Sequence, residues 1–288
     1  MDERIEMNLP VDLDYLVIGH VTRDLVGAGE FRIGGTVSYA ARTARALGYR
    51  VGVVTSASPE LDLDQVLDGI LIARSPASAT TTFENIYTAQ GRTQVLHSTA
   101  GSLRVEMIPA NWHTRIVHLG PVAQECPREL LALGPDVFVG VTPQGWMRCW
   151  DERGRVTLCP WPDPETVLDR ADAVVLSETD VADQSLLDQY AGQTRLLVVT
   201  RGPAGCSVYT GGLVRDFPAP PAQEVDPTGA GDIFAAAFFL WMERHRDPWG
   251  AARFANCVAS HSVTRVGVSG TPTPEEAARC RRAMHGDR

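Results

Sequence analysis

The chain contains no lysine: all 26 residues counted as Lys or Arg are Arg. Three classes of site are thereby excluded. A P-loop needs the lysine of its G-x-x-x-x-G-K-[ST] motif, a Schiff base needs a lysine amine, and a protein kinase of the usual kind needs its strand lysine. If this chain binds phosphate, it must use backbone N–H groups, arginine or a metal ion.

Long apolar runs and an excess of positive charge are also lacking. No apolar run reaches the roughly 18 residues that a membrane span needs, and the formal net charge is −9. An acidic chain repels polyanions, so we expect no nucleic-acid partner, and the lack of a long apolar run predicts no membrane partner. The first residues carry no apolar segment typical of a signal peptide, which predicts a cytoplasmic protein.

The cysteines follow no metal-binding or redox motif. None is separated from another by C-x-x-C spacing, and none lies at a typical ligand spacing from a histidine. We therefore expect reduced thiols, mostly in the core, and no zinc site. The six residues are Cys126, Cys149, Cys159, Cys206, Cys257 and Cys280.

The order of apolar segments predicts an α/β fold. A buried strand over 15–19, an alanine-rich helix over 36–47 and a strand over 51–55 form one α/β unit. Further short apolar runs between 115 and 200 are about 15 to 35 residues apart, which suits crossovers in a parallel sheet. With 44% apolar residues, the chain is expected to form a single domain over 1–288.

The most informative segment is Asp226-Pro227-Thr228-Gly229-Ala230-Gly231-Asp232, directly before an apolar helix. Its small side chains leave the N–H groups of the helix N-terminus accessible, which suits a phosphate. A carboxylate beside a phosphate site repels the phosphate, so Asp232 is unexpected at this position unless it takes part in the reaction. Asp232 can accept the proton of a hydroxyl group that attacks phosphorus. Alternatively, it only complements the helix dipole.

This segment resembles the C-terminal D-T-G-A-G-D signature of the ribokinase-like (PfkB) carbohydrate kinases, with Pro227 in the variable place. Other segments match the family in the same order. Gly34-Gly35 before a helix resembles its sugar-binding glycine pair, and Asp24 resembles its hydroxyl-binding aspartate. Residues 200–205 resemble the T-x-G-x-x-G turn beside the nucleotide. The resemblance extends over about residues 14–274.

The resemblance implies a three-layer α/β/α sandwich with a mostly parallel central sheet and a small β lid. It also implies transfer of the γ-phosphoryl group of ATP, with Mg²⁺, to a hydroxyl group of a sugar or polyol. Asp232 would be the general base, and an anion hole would be formed by Gly229, Ala230 and Gly231. The residues expected to bind the acceptor are Asp24, Gly34, Gly35, Ser38 and Arg92, and those expected to bind ATP are Thr200, Gly202, Gly205, Thr228 and Asn256.

Within the family, the myo-inositol kinases are the most similar branch. They share a glycine pair followed by small residues, serine and an aromatic residue, which is Tyr39 here, and a Gln–Arg–Asp segment that matches 144–151. A myo-inositol-like acceptor is therefore favoured. A nucleoside kinase of the same fold and a non-catalytic sensor of a sugar or nucleotide remain alternatives.

One segment departs from the family pattern. Where the family has N-x-x-E, this chain has Ser177-Glu178-Thr179-Asp180. Either Glu178 or Asp180 would assist Mg²⁺ through water, or the segment only caps a helix. The sequence leaves open a monovalent cation and the choice between a monomer and a homodimer.

The lid is expected to be reduced, with strands in 24–34 and 79–98. Only nine residues separate Asp24 from Gly34, which allows a pair of short strands. Arg92 lies near the turn of the second strand pair, where it could reach the acceptor or remain solvated. Glu125 follows a strand at the side of the sheet where ligands bind, so we also expect it near the substrate.

Overall fold

The computed structural model describes residues 9–27, 29–88, 91–132, 134 and 136–286 of the 288. For residues 87, 88, 91, 92, 285 and 286 it describes the backbone alone. The strands are β1 (Val11–Ile18), β2 (Thr22–Gly27), β3 (Glu30–Gly34), β4 (Val51–Ala57), β5 (Leu71–Pro76), β6 (Thr81–Thr88), β7 (Gly91–Ser98), β8 (Trp112–Leu119), β9 (Phe138–Val141), β10 (Arg148–Trp150), β11 (Val156–Leu158), β12 (Ala173–Ser177), β13 (Leu196–Thr200), β14 (Cys206–Thr210) and β15 (Leu213–Phe217). The α-helices are α1 (Thr36–Ala46), α2 (Leu63–Val66), α3 (Pro164–Arg170), α4 (Gln184–Gln193), α5 (Ala230–His245), α6 (Pro248–Ser262) and α7 (Pro274–Gly286).

Nine strands form the central sheet, in the order β15-β14-β13-β12-β9-β8-β1-β4-β5. The strands from β13 to β5 pair in parallel, whereas the hairpin β14-β15 extends one edge in antiparallel pairing. Parallel neighbours need crossover connections, which explains the spacing of the apolar runs in the sequence. The predicted mostly parallel sheet is confirmed.

Helices cover both faces of this sheet, because alternate strand residues face opposite sides. Tyr15 and Val17 of β1 lie in a core shared with α1, α5, α6 and α7. Leu16 and Ile18 lie in a second core shared with α3 and α4. The predicted three-layer arrangement is therefore confirmed. Among the described residues, no helix combines the length and hydropathy needed to cross a bilayer.

A second sheet of four strands, in the order β3-β2-β6-β7, lies apart from the central sheet. Its strands fall in the two segments expected to form the lid. Phe83 and Leu96 bury their side chains against Val122 and Ala123, which follow β8. The Leu96 N–H donates to the carbonyl of Gly154 (2.8 Å), which attaches the β10-β11 hairpin to this lid.

The expectation of six reduced thiols is wrong for four of the cysteines. Cys149 and Cys159 form a disulfide across the β10-β11 hairpin, and Cys257 and Cys280 form one between α6 and α7. In both pairs the Cα atoms are 5.8 Å apart, within the usual reach of a disulfide. Spacing rules missed these pairs because the residues meet only through tertiary structure. Cys126 and Cys206 are free and buried, as expected.

Candidate active site

A cavity of about 780 Å³ lies where the parallel strands end. The last residues of β12 and β13, Ser177 and Thr200, line it, as do Val122 and Thr142 from the loops after β8 and β9. Lid strands β2, β6 and β7 contribute side chains from the opposite side. In open α/β sheets, ligands bind at the carboxyl ends of the strands, so this cavity is the candidate active site.

The predicted anion hole lines the cavity at the N-terminus of α5. Gly229 precedes the helix in the left-handed region (φ 80°), and a Cβ there would lie 2.3 Å from the ring of Tyr39. Glycine is therefore required at this position, because the backbone conformation disfavours other residues and because no space is left for a side chain. The Ala230 N–H already donates to the carbonyl of Pro227 (3.1 Å). Of the three N–H groups predicted to bind an anion, those of Gly229 and Gly231 thus fit the role better.

Asp226 holds this turn in place. One carboxylate oxygen accepts the N–H of Thr228 (3.0 Å), and the other accepts the N–H of Gly267 (2.9 Å). The first aspartate of the motif therefore has a structural role in the turn. The second, Asp232, remains available for chemistry in the first turn of α5.

Asp232 lines the cavity and has a perturbed acidity. The pKa of its carboxyl group is raised to about 6, and burial is the largest cause. A hydrogen bond from Thr36 and the charge of Arg148 lower this pKa, whereas the negative charges of Asp180 and Asp24 raise it. Residues from separate loops and strands thus converge on one carboxylate. A group with this pKa is largely ionised at pH 7 and can still take up a proton, as a general base must.

The glycine pair allows the first strand of the lid to approach α1. A Cβ on Gly34 would lie 2.3 Å from the Asp24 carboxylate, and a Cβ on Gly35 would lie 2.3 Å from the carbonyl of His20. Asp24 and Gly35 line the cavity, next to Thr22, whose hydroxyl donates to Asp24 (3.0 Å). The structure thus brings the predicted acceptor residues Asp24 and Gly35 to the same site as Asp232.

Of the residues predicted to bind the acceptor, Ser38 is placed differently, and Arg92 is described only in its backbone. Ser38 is fully buried, and its hydroxyl donates to the carbonyl of Gly34 (2.7 Å), so it supports the glycine turn from behind. The backbone of Arg92 pairs with that of Tyr87 in the lid, but its side chain lies outside the described part of the chain. The role predicted for Arg92 stays a prediction.

The lid supplies polar residues that sequence reasoning missed. Asn85 and Gln94 lie opposite each other on β6 and β7, are joined by a hydrogen bond (3.1 Å), and both line the cavity. Arg148 also lines it, with its guanidinium 5.6 Å from the centre of the Phe83 ring. No local motif marks Asn85 or Gln94, because their roles depend on pairing between strands. The only signal for Arg148 was its place in the 144–151 segment.

Tyr39 lies between the glycine pair, which it follows in the sequence, and the predicted anion hole, which we call the phosphate turn. Its ring lies beside Gly229, and the residue also lines the cavity. Its hydroxyl is buried and has no hydrogen-bond partner among the described residues. Burial raises the pKa of this phenol well above its usual value, and the charges of Asp24 and Asp232 add to the shift. The hydroxyl therefore stays protonated.

The residues predicted to bind ATP gather at the other end of the cavity. Thr200, Gly202, Gly205, Thr228 and Asn256 all line it. Gly205 has a positive φ of 93°, and a Cβ there would lie 2.0 Å from the carbonyl of Phe217. Asn256 is buried and donates to the same carbonyl (3.0 Å). Its amide thus fixes α6 to the end of β15 beside the cavity.

The segment predicted to assist a metal forms a capping box. The Ser177 N–H donates to Asp180 (3.0 Å), and the Ser177 hydroxyl accepts the N–H of Thr179 (3.2 Å). The segment therefore caps the short 3-10 turn over Glu178–Asp180, whereas α4 is capped by Asp183. Even so, the side chains of Glu178 and Asp180 both line the cavity. The Glu178 carboxylate lies 3.7 Å from Arg201.

Glu125 has a structural role. It is 3% exposed, and its carboxylate accepts the N–H groups of His20 (2.9 Å), Val122 (3.0 Å) and Ala123 (2.7 Å). The expectation that it lies against the substrate is wrong, because these bonds use the carboxylate to join the loops after β1 and β8.

Known proteins are similar in sequence to parts of this chain. Residues 168–276 match the model of the pfkB family carbohydrate kinases. The cytidine kinase of Thermococcus kodakarensis is 29% identical over 259 residues, covering 81% of this chain and 90% of that protein. A fructokinase of Klebsiella pneumoniae is 38% identical over 111 residues, which cover 33% of this chain and 36% of the fructokinase. An inositol 3-kinase of Oryza sativa is 43% identical over 76 residues, 25% of this chain and 18% of that enzyme.

Solved structures extend the similarity to nearly the whole chain. A pyrophosphate-dependent kinase in the ribokinase family, complexed with a pyrophosphate analog and myo-inositol, has a TM-score of 0.78 at 23% identity, covering 92% of this chain and 99% of that one. Arabidopsis thaliana ribokinase, complexed with ribose and ATP, has a TM-score of 0.74 at 19% identity, covering 94% and 99%. Residues 168–276 thus match the pfkB family of carbohydrate kinases, and the chain as a whole has the fold of these ribokinase-family structures.

Proposed function

We propose that this protein transfers the γ-phosphoryl group of ATP to a hydroxyl group of a small polyol or sugar, with a myo-inositol-like acceptor favoured. The observation that carries the proposal is Asp232, a carboxylate with a pKa of about 6 in the first turn of a helix that begins in an anion-binding turn. The proposal treats residues 1–288 as one kinase domain that acts in the cytoplasm on a small molecule.

In this mechanism, Asp232 accepts the proton of the acceptor hydroxyl as its oxygen forms the new bond to phosphorus. The bond between the transferred phosphoryl group and the leaving phosphate breaks in the same step. Thr36 orients the Asp232 carboxylate through its hydrogen bond. The N–H groups of Gly229 and Gly231 stabilise negative charge on the transferred group, because they carry the partial positive charge of the helix N-terminus.

The cavity residues fit a magnesium ion. Glu178 and Asp180 offer carboxylate oxygens, the ligands that Mg²⁺ prefers. Asp180 is oriented by the amide of Gln144 (3.3 Å) and lies close enough to raise the pKa of Asp232. We therefore assign Asp180 to the ion, through water, and assign Glu178 to orienting Arg201. When bound, Mg²⁺ neutralises charge on the donor phosphates.

The shape of the cavity favours ATP as donor. Beyond the phosphate turn it continues along Pro220, Pro221, Ala259 and Val263, an apolar surface suited to a nucleoside. Pyrophosphate is the alternative donor, because the structural neighbour with myo-inositol is described as pyrophosphate-dependent. A comparison of both donors at equal concentration separates these cases. Turnover with pyrophosphate alone would reject the nucleoside assignment.

The polar lining of the acceptor end favours a polyol over a nucleoside. Asp24, Asn85, Gln94 and Arg148 present acceptors and donors from several directions, as a ring with many hydroxyl groups requires. The similarity to a cytidine kinase supports the nucleoside alternative. Phe83 also lines the cavity, but it is 3% exposed and its ring offers a base little surface for stacking.

The deciding experiment is a coupled assay of ADP release over a panel of polyols, sugars and nucleosides. We expect turnover with a polyol or sugar, and none above background for the Asp232→Asn variant. Turnover with cytidine or adenosine alone would select the nucleoside kinase. If no member of a broad panel is phosphorylated while ATP and a polyol still bind, the protein is the non-catalytic sensor.

A further inference from the structure

A second group of reactive side chains lies away from the kinase cavity, between α6 and α7. Cys257 and His261 are one helical turn apart on α6, a ligand spacing that sequence reasoning missed, and Cys280 projects from α7. One sulfur or nitrogen atom of each residue lies within 4.8 Å of the others. Cys257 and His261 are half-buried and Cys280 is fully buried, so the group is open to solvent on one side only.

We propose that reduction of the Cys257–Cys280 disulfide converts this group into a Zn²⁺ site, with Cys257, His261, Cys280 and one water molecule as ligands. Thiolate and imidazole are the ligands that zinc prefers. Around a tetrahedral zinc ion with typical bond lengths, such ligand atoms are about 3.5–3.8 Å apart. The three atoms already lie within 4.8 Å, so opening the disulfide and small side-chain rotations bring them to that spacing.

The chemistry balances in two steps. A dithiol or phosphine gives two electrons to the disulfide, whose sulfurs take up two protons from solvent and become thiols, while the reductant is oxidised. Zn²⁺ then displaces both thiol protons, which are released, and neutral His261 donates a ring nitrogen lone pair. The three residues are therefore linked in two forms of the site, a disulfide without metal and a dithiolate with metal.

The other disulfide provides an internal comparison. Cys149 and Cys159 are also joined, but among the described residues they do not belong to a group of three metal-ligating side chains. If closeness of two thiols were sufficient, both pairs would bind zinc after reduction. The inference predicts that only the pair with His261 does so.

The position of the site links it to the donor end of the cavity. Helix α6 carries Asn256 and Ser260, which line the cavity, and the neighbouring residues Cys257 and His261 belong to the group shared with α7. Either form of the site fixes α6 to α7. The reduced protein without zinc lacks this link, so it should melt at a lower temperature than both linked forms.

The test is metal analysis of the full chain, reduced anaerobically with a phosphine, stripped of metal and then dialysed against Zn²⁺. We expect one zinc ion per reduced chain, none per oxidised chain, and release of about two protons per ion near pH 7. Titration with Co²⁺ should give the charge-transfer absorption of a thiolate–cobalt bond. A reduced chain that binds no zinc would overturn the proposal.

Variants identify the ligands. His261→Gln should weaken zinc binding at least about tenfold, because even residues that only orient a ligand are worth about 10- to 100-fold. Cys257→Ser should do the same, and both positions are half-buried, so folding is expected to survive. The double variant C149S/C159S should bind zinc as the parent does. Unchanged affinity in His261→Gln, or loss of zinc in C149S/C159S, would show that this group is not the site.

Discussion

The acidity of Asp232 predicts how the rate of phosphoryl transfer depends on pH. Burial raises the pKa of this carboxyl group to about 6, compared with about 3.9 for an unperturbed aspartate. Below pH 6 the group is mostly protonated and cannot accept a proton, and above pH 6 it is mostly ionised. The general base is therefore active on the alkaline side of its pKa, and activity should be lost as the pH falls through 6.

The size of the effect follows from the fraction of ionised carboxylate. With a pKa of about 6, roughly nine-tenths of Asp232 is ionised at pH 7 and roughly one-tenth at pH 5, a change of about tenfold. With the pKa of an unperturbed aspartate, about nine-tenths would remain ionised at pH 5. We therefore expect kcat/KM to fall about tenfold from pH 7 to pH 5 when donor and acceptor are both below saturation, because kcat/KM reports the ionisation of the free enzyme.

The variant Thr36→Val separates this titration from that of the donor phosphates. Valine has nearly the shape of threonine but cannot donate the hydrogen bond that lowers the pKa of Asp232. The acid limb of the variant should therefore move to higher pH, while ionisation of the phosphates does not change. Circular dichroism at each pH would verify that both proteins stay folded. A flat profile between pH 5 and pH 7, or equal profiles for the two proteins, would refute the reasoning.

Three further predictions concern the two ends of the cavity. Asp232→Asn should lower kcat at least about 100-fold with little change in ATP affinity, since general-base catalysis is worth about 10²–10⁴; full turnover would exclude it as the base. Gly229→Val should abolish donor binding measured by calorimetry, because its Cβ would lie 2.3 Å from an aromatic ring, whereas Gly211→Ala, also at positive φ but with no atom nearby, should bind normally. Asn85→Leu should raise the KM of a polyol acceptor several-fold, because it removes polar atoms from the lid and leaves the amide of Gln94 unpaired. An equal rise in the KM of the donor would instead indicate a general structural defect.

The sequence could predict those parts of the site that are formed by residues adjacent in the chain. The phosphate turn needs small residues followed by a helix, so Gly229 and Asp232 were identified from one short segment. The glycine pair was also visible, and Gly34 proves necessary because a Cβ there would lie 2.3 Å from the Asp24 carboxylate. Such requirements are local in the chain and leave a recognisable pattern.

Features that depend on tertiary pairing left no such pattern. Asn85 and Gln94 become neighbours only through the register of β6 and β7. The disulfide between α6 and α7 joins cysteines 23 positions apart, beyond any spacing rule applied to the sequence. Glu125 was placed correctly at the ligand end of the sheet, but its three backbone partners come from loops whose meeting the sequence does not reveal.

The absence of lysine has a final consequence for the mechanism. Among the described residues, the cationic side chains that line the cavity are those of Arg148 and Arg201, and guanidinium groups remain charged throughout the pH range of any assay. Neither histidine nor cysteine is among the described residues that line the cavity. The positive charge at the site therefore stays constant between pH 5 and pH 8, and the carboxyl group of Asp232, with its pKa of about 6, changes charge within that range. Once Thr36→Val has separated the titration of the donor phosphates, an acid limb near pH 6 can be assigned to Asp232, because none of the described residues that line the cavity is a lysine, histidine or cysteine.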